Sequence, residues 1–281
     1  MSGRNIALTG VPRSGTTLAC RLLGQCRNTV ALFEPMPVLT LPPDHDLALA
    51  QVLDFYRDVR TRIAHEHNAP SKVRGGAVPD NLYAEAGSDG TRQLQAYPGL
   101  LQVAADLPDD FSLVIKHNAA FTALLPKLAM QLDTFAIVRN PLAVIASWQS
   151  VDVPVQQGRV PAGERLDPQL AARLNACNDV LERQLRVLDW FFQQFHTHLP
   201  LQRVLRYEDI VASHGALLHA RVGASGSADA TLRAHNPVSR RDPAVIETVR
   251  CALREFPGAW RHWYEPTAID AAFTPQPGAT G

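Results

Sequence analysis

The segment "GVPRSGTTL", residues 10–18, constrains the fold more than any other part of the chain. It directly follows the short apolar run "NIALT", so the pattern predicts a buried strand, a glycine-flanked turn and then a helix. Such a turn points several backbone N–H groups at one place, where the helix dipole also favours an anion. The segment therefore predicts a phosphate site at the end of a strand.

The side chains of this loop indicate which kind of phosphate it holds. Thr16 occupies the position where a P-loop nucleotide triphosphatase carries its lysine. Without that lysine, ATP-dependent phosphoryl transfer loses part of its usual electrostatics, and one phosphate bearing a different group fits better. The candidate binding residues of the loop are Arg13, Ser14, Gly15, Thr16 and Thr17.

Short apolar runs alternate with helical patterns along the chain. The predicted strands are 4–10, 29–33, 112–116, 134–138 and 202–207. Helices are expected between them, such as the one with apolar residues every three or four positions from Leu49 to Ile63. This alternation predicts an α/β fold, a single domain over 1–281 with a central parallel sheet of about five strands and helices on both faces.

Two further segments carry specific expectations. The Asp167-Pro168 pair is a typical helix start, and the apolar stripe behind it predicts one helix that reaches Phe195. The polar stretch 69–99 is expected to be a long surface loop, and together with 151–166 it is the expected wall of an acceptor pocket.

The overall composition excludes several classes of partner. Lysine plus arginine and aspartate plus glutamate are equal at 27 each, so no global field would attract nucleic acid, and an anion site must be built locally. The four cysteines lack the spacing of a metal or redox site, so reduced thiols in the core are expected. No apolar run has the length of a membrane span, and the N-terminus lacks a secretory pattern. We therefore expect a cytoplasmic protein without membrane insertion, and the oligomeric state stays open.

Three segments together resemble a known family. "PRSGTTL" resembles the 5′-phosphosulfate loop of sulfotransferases that use 3′-phosphoadenosine 5′-phosphosulfate (PAPS). "IVRNPLAVIASW", residues 137–148, resembles their second motif, in which an arginine at a strand end and a serine eight residues later bind the 3′-phosphate. Here these are Arg139 and Ser147. "VLRYEDI", residues 204–210, resembles the strand and turn that follow.

The resemblance implies a P-loop-like fold and transfer of a sulfuryl group from PAPS, without a metal, to a hydroxyl of a small-molecule or sugar acceptor. Arg13 and Lys116, at the end of "SLVIK", are expected to supply positive charge to the reacting centre. The general base is Glu34 or His117, and the position of Glu34 after the second strand favours it. The resemblance implies weaker roles for Tyr207 beside the adenine and for Arg240 over the 3′-phosphate.

Two other functions stay open at this point. One is an ATP-dependent small-molecule kinase of P-loop fold, and the other is a non-catalytic nucleotide-binding protein. Thr16 and the pairing of Arg139 with Ser147 argue against the kinase. Glu34 and Lys116 argue against a protein without catalysis.

Overall fold

Five parallel strands form the centre of the protein. The computed structural model describes residues 3–82, 93–229, 231–234, 238 and 242–271. The strands are β1 (Asn5–Gly10), β2 (Thr29–Phe33), β3 (Asn68–Val73), β4 (Tyr97–Gln102), β5 (Ser112–Lys116), β6 (Asp133–Val138) and β7 (Val204–Arg206). The main sheet has the order β2-β5-β1-β6-β7, and every pair in it is parallel. The predicted five-stranded parallel sheet is confirmed.

Helices cover both faces of this sheet, as predicted. They are α1 (Thr16–Gly24), α2 (His45–Glu66), α3 (Ala119–Ala123), α4 (Leu125–Gln131), α5 (Pro141–Trp148), α6 (Pro161–Leu166), α7 (Pro168–Asn175), α8 (Val180–His198), α9 (Tyr207–Ala212), α10 (Ala216–Val222), α11 (Pro243–Glu255) and α12 (Pro266–Ala271). Among the described residues, none of these helices combines the length and the apolar composition of a membrane span.

Alternate side chains of each buried strand enter two separate cores. In β1, Ala7 packs into the core beneath α2, α5 and α8, whereas Ile6 and Leu8 pack into the core beneath α1 and α10. Successive side chains of a strand point to opposite faces, so a sheet covered on both sides requires continuous apolar runs. The runs "IALT" and "LVIK" meet that requirement.

The strand register brings the carboxyl ends of the strands to one edge. Lys116 pairs with Leu8 on one side and with Phe33 on the other, while Val138 pairs with Arg206. Residues that follow β1, β2, β5, β6 and β7 therefore meet at this edge, where ligands of α/β proteins bind.

The prediction of a continuous surface loop over 69–99 is wrong at both ends. Residues Asn68–Val73 and Tyr97–Gln102 form an antiparallel pair, β3 with β4. Ser71 fixes this pair beside β2, because its Oγ accepts a hydrogen bond of 3.0 Å from the Phe33 N–H. Residues 74–82 and 93–96 lie between these two strands, and the remaining residues of the expected loop, 83–92, lie outside the described residues.

The predicted helix from Pro168 to Phe195 is two helices, α7 and α8. The second begins after Asp179, whose side chain accepts a hydrogen bond from the Glu182 N–H and so caps a new N-terminus. The Arg183 guanidinium bonds the Cys177 and Asn178 carbonyls and stabilises the break. The apolar stripe continues across the break because both helices pack on the same core.

Candidate active site

A cleft of about 1120 Å³ opens at the carboxyl edge of the main sheet. Most of the residues predicted from the sequence line it, namely Arg13, Gly15, Thr16, Thr17, Glu34, Lys116, His117, Arg139, Ser147 and Tyr207. Ser14 does not, and Arg240 lies outside the described residues. The segments 69–99 and 151–166, expected as pocket walls, both contribute lining residues.

The phosphate loop between β1 and α1 has a backbone that only glycine accommodates at two points. Gly15 has a φ of 93°, and a Cβ there would lie 2.5 Å from Cδ2 of Tyr207. A Cβ on Gly10 would lie 2.3 Å from the Ile137 carbonyl oxygen. Helix α1 begins after Gly15 and has no side-chain cap, so no side chain satisfies the N–H groups of its first turn. The sequence therefore folds locally into an anion-binding turn.

Ser14 supports this loop from beneath and does not face the cleft. Its side chain is fully buried, and its Oγ donates a 2.7 Å hydrogen bond to the Ile137 carbonyl. Its backbone N–H donates to the Val11 carbonyl. Both of its donors are therefore used within the protein, and the predicted contact of Ser14 with a ligand stays a prediction.

Four predicted residues from three parts of the chain meet beside the loop. The Arg13 Nε donates to Ser147 Oγ at 3.2 Å, and an Arg139 Nη donates to the Arg13 carbonyl at 3.3 Å. The Arg139 guanidinium lies 4.3 Å from the centre of the Tyr207 ring. We call Arg13, Arg139, Ser147 and Tyr207 the arginine cluster. It places two guanidinium groups and a hydroxyl at one end of the cleft, a donor set that suits a phosphate.

Helix α5 holds this cluster in place. Asn140 caps it by accepting hydrogen bonds from the Leu142 and Ala143 N–H groups, and Pro141 occupies its first turn. At its other end the Trp148 indole N–H donates to the Pro12 carbonyl at 2.8 Å. One helix therefore positions Ser147 and braces the phosphate loop.

Glu34 is bound by two lysines in the middle of the cleft. Its Oε1 lies 2.7 Å from Lys116 Nζ, and its Oε2 lies 2.5 Å from Lys72 Nζ. Burial alone would raise the pKa of the Glu34 carboxyl, but the charges of Lys116 and Lys72 outweigh that effect and hold this pKa well below its usual range. Glu34 is therefore ionised, as a proton acceptor must be.

Lys116 is a buried cation with favourable partners. Its side chain is only 2% exposed, and its ammonium lies 4.7 Å from the centre of the Phe33 ring in addition to its ion pair with Glu34. A buried charge requires such partners, because it has lost its water. Its place at the end of β5 directs the charge into the cleft.

His117, the alternative base, has its outer nitrogen already engaged. Its Nε2 accepts a hydrogen bond of 3.2 Å from the Met36 N–H, and the ring is 3% exposed. Burial lowers the pKa of His117 to about 3, so the ring is neutral. His117 is thus neutral with its Nε2 engaged, whereas Glu34 is ionised, and the preference for Glu34 as the proton acceptor stays a prediction.

Two site residues have a left-handed backbone, which non-glycine residues rarely adopt. Arg13 has a φ of 71° and Glu34 a φ of 45°. Such conformations cost about 1–3 kcal/mol each and cluster at functional sites. Both residues follow strands, and the unusual backbone turns their side chains toward the shared cleft.

Lys72 is a site residue that the sequence analysis missed. It lies on β3, inside the stretch for which the sequence predicts a loop. Pairing with β4 together with the Ser71 contact brings its ammonium to Glu34. No local pattern around "NAPSKV" distinguishes this lysine from a solvated one.

Removing the Lys72 charge is expected to cost stability in a pH-dependent way. The pKa of Glu34 is lower in the folded protein than in the unfolded chain. Its ion pairs therefore stabilise the fold fully at a pH above the unfolded pKa, and this stabilisation is lost as the pH falls toward the folded pKa. We expect Lys72→Met to lower the free energy of unfolding by about 1 kcal/mol at neutral pH. The difference from the parent protein should shrink below about pH 4, near the unfolded pKa, in urea unfolding curves.

Lys127→Met is the matched control, because Lys127 pairs with Asp46, whose side chain is 77% exposed. Its effect should be close to zero at every pH. Equal losses in the two variants would show that the Lys72–Glu34 pair contributes no more than a surface pair.

Metal ligands are not grouped in the part of the chain that the structure describes. No cluster of three or more histidine, cysteine, aspartate or glutamate side chains is placed to hold an ion there. Arg13 and Arg139 of the arginine cluster, together with Lys72 and Lys116 beside Glu34, bring positive charge to the cleft.

Comparison with solved structures finds sulfotransferases. The sulfotransferase domain from the curacin biosynthetic pathway covers 81% of this chain and 76% of its own, with a TM-score of 0.42 and 14% identity. The match to the sulfotransferase domain of the Synechococcus PCC 7002 olefin synthase covers 100% of this chain and 91% of that domain, with a TM-score of 0.41 and 14% identity. The match to the sulfotransferase STF1 of Mycobacterium tuberculosis H37Rv covers 98% of this chain and 77% of STF1, with a TM-score of 0.36 and 13% identity.

This chain is similar in structure to sulfotransferases. No protein-family model matches the chain, and no curated protein matches it significantly. The TM-scores and the identities are both low, so these likenesses carry no argument about the function of this chain.

Proposed function

We propose that this protein transfers a sulfuryl group from PAPS to a hydroxyl of an acceptor bound in the same cleft. One observation carries the proposal. The N-terminus of α1 and the arginine cluster lie side by side at one sheet edge as two sets of donors suited to anions, and the ion-paired Glu34 and Lys116 line the same cleft.

The two anion sites fit a nucleotide with phosphate groups on both sides of its ribose. The N–H groups of α1 with the Thr16 and Thr17 hydroxyls would hold the 5′ end. Arg139 and Ser147 would hold the 3′-phosphate, and Tyr207 would offer its ring beside the nucleoside. ATP has no 3′-phosphate, and Thr16 replaces the lysine that would clamp its outer phosphates, so this donor set argues against the kinase.

PAPS supplies an activated sulfuryl group that needs no metal. Lys116 and Arg13 provide positive charge where negative charge develops on the leaving phosphate. Glu34 accepts the proton of the attacking hydroxyl. Bound to two ammonium groups, Glu34 is a weak base. An anionic ligand beside Lys116 competes for that ammonium and so makes the carboxylate more basic.

Thermal unfolding tests the nucleotide assignment. Adenosine 3′,5′-bisphosphate should raise the Tm far more than AMP or ATP, because only the bisphosphate has a 3′-phosphate for Arg139 and Ser147. A charge-assisted hydrogen bond of this kind contributes about 1.5–3 kcal/mol, roughly ten- to a hundredfold in affinity. Equal shifts with AMP, or a larger magnesium-dependent shift with ATP, would contradict the proposal and favour the kinase.

A further inference from the structure

The cleft has an apolar side that the transfer chemistry does not use. Four short segments form it, and we call them the apolar wall. They are 36–40 ("MPVLT"), 119–120 ("AA"), 153–155 ("VPV") and 159–162 ("RVPA").

The segments of the apolar wall pack together as one surface. Helix α6, which contains residues 161 and 162, packs on α3 and on the short turn of helix at Val38–Thr40. The Arg165 Nε donates to the Leu41 carbonyl at 2.7 Å, and His45 Nε2 bonds the Leu166 carbonyl at 2.7 Å. These hydrogen bonds fasten α6 to the segment around residue 40. The wall is therefore a built feature and not a chance grouping.

Both polar side chains of the wall are already bonded within the protein. The Thr40 Oγ1 donates to the Pro37 carbonyl at 2.7 Å. The Arg159 guanidinium pairs with Glu164 and donates to Asn175 Oδ1 at 2.7 Å. A ligand on this wall meets hydrocarbon and side chains whose hydrogen bonds are already made.

The apolar wall begins beside the proton acceptor. Met36 lies two residues after Glu34, and its N–H bonds the ring of His117. Ala119 lies two residues after His117 along the chain. At the far end Leu39 is 59% exposed while it lines the cleft, which leaves an uncovered apolar side chain at the mouth.

We propose that the acceptor is an uncharged alcohol with an apolar body, and not a sugar. This inference rests on the proposed function. The hydroxyl would approach Glu34 and the hydrocarbon would lie along the apolar wall, where it loses contact with water. A sugar would bring several hydroxyls against the same surface, and its hydrocarbon would leave most of them without a replacement for their hydrogen bonds to water.

A homologous series of n-alkanols tests the inference, with methyl glucoside as the polar comparison. Rates of transfer from PAPS are measured for butanol through octanol. Binding of each alcohol to the protein saturated with adenosine 3′,5′-bisphosphate is measured by calorimetry. Each added methylene that is buried should raise affinity and kcat/KM about three- to fourfold. Methyl glucoside should bind more weakly than any alkanol longer than butanol.

Leu39→Asn and Leu47→Asn form a matched pair, because Leu47 is 60% exposed on α2 and does not line the cleft. Leu39→Asn should lower the affinity for octanol about three- to tenfold and leave the affinity for butanol unchanged. Leu47→Asn should change neither of these two affinities. Equal effects of the two substitutions would show that Leu39 does not contact the acceptor.

The outcomes separate this inference from the proposed function. A flat dependence on chain length, or faster transfer to methyl glucoside than to octanol, overturns the apolar acceptor while the sulfuryl transfer stands. Alkanols that bind with the expected slope but yield no sulfated product from PAPS support the apolar wall as an alcohol site and overturn the proposed reaction.

Discussion

Glu34→Gln should lower the turnover of an unactivated alcohol by about 10²–10⁴-fold, the usual contribution of a general base. The amide keeps the shape of the side chain and still accepts a hydrogen bond from Lys116, but it cannot accept a proton. An acidic phenol releases its proton more readily, so the substitution should lower the turnover of the phenol by a smaller factor. Rates with both acceptors at saturating PAPS measure the difference.

The same substitution also leaves the Lys116 ammonium buried without a carboxylate, so a loss of stability is expected. Binding of adenosine 3′,5′-bisphosphate, measured by calorimetry at low temperature, separates the two effects. The bisphosphate should still bind, because its contacts lie on the phosphate loop and the arginine cluster. Loss of binding in parallel with activity would indicate an unfolded variant rather than a missing base.

His117→Gln is the paired control. A glutamine places its amide oxygen near the position of Nε2 and can keep the hydrogen bond from the Met36 N–H. Because His117 is neutral and its outer nitrogen is engaged, activity should stay within about tenfold of the parent, below the range for a lost base. Abolished transfer in His117→Gln, with Glu34→Gln still active, would assign the base to the histidine.

Arg139→Met should weaken adenosine 3′,5′-bisphosphate by about ten- to a hundredfold and leave the affinity for AMP nearly unchanged. The methionine keeps an apolar stem over Tyr207 and removes the guanidinium that we assign to the 3′-phosphate. AMP has no 3′-phosphate, so it has no contact to lose. Titration calorimetry with both ligands measures the ratio.

Arg206→Met controls for the loss of an arginine stacked on a tyrosine. The Arg206 guanidinium lies 4.9 Å from the Tyr264 ring, beside Asp209, and the residue does not line the cleft. The affinities for AMP and for the bisphosphate should both stay unchanged in this variant. If Arg139→Met lowers the affinity for AMP as much as the affinity for the bisphosphate, Arg139 supports the phosphate loop through the Arg13 carbonyl and does not bind the 3′-phosphate.

The parts of the site that follow strands could be predicted from the sequence. Lys116 and Arg139 end apolar runs, and parallel strands bring their carboxyl ends to one edge whatever the details of packing. Glu34 and the phosphate loop follow strands in the same way. The structure adds how these side chains pair, such as the contact between Arg13 and Ser147, because such pairing depends on rotamers and on neighbours distant in the chain.

The sequence by itself determined the strands of the main sheet and the phosphate loop, because strand burial and turn chemistry are read over a few residues. Only the tertiary structure decided the role of Lys72, since "NAPSKV" contains a proline and lacks a strand pattern, and its pairing partner lies more than twenty residues away. Only the tertiary structure placed Ser14 beneath the loop. The apolar wall also depends on it, because four segments spread from residue 36 to residue 162 make one surface only after α3 and α6 have packed.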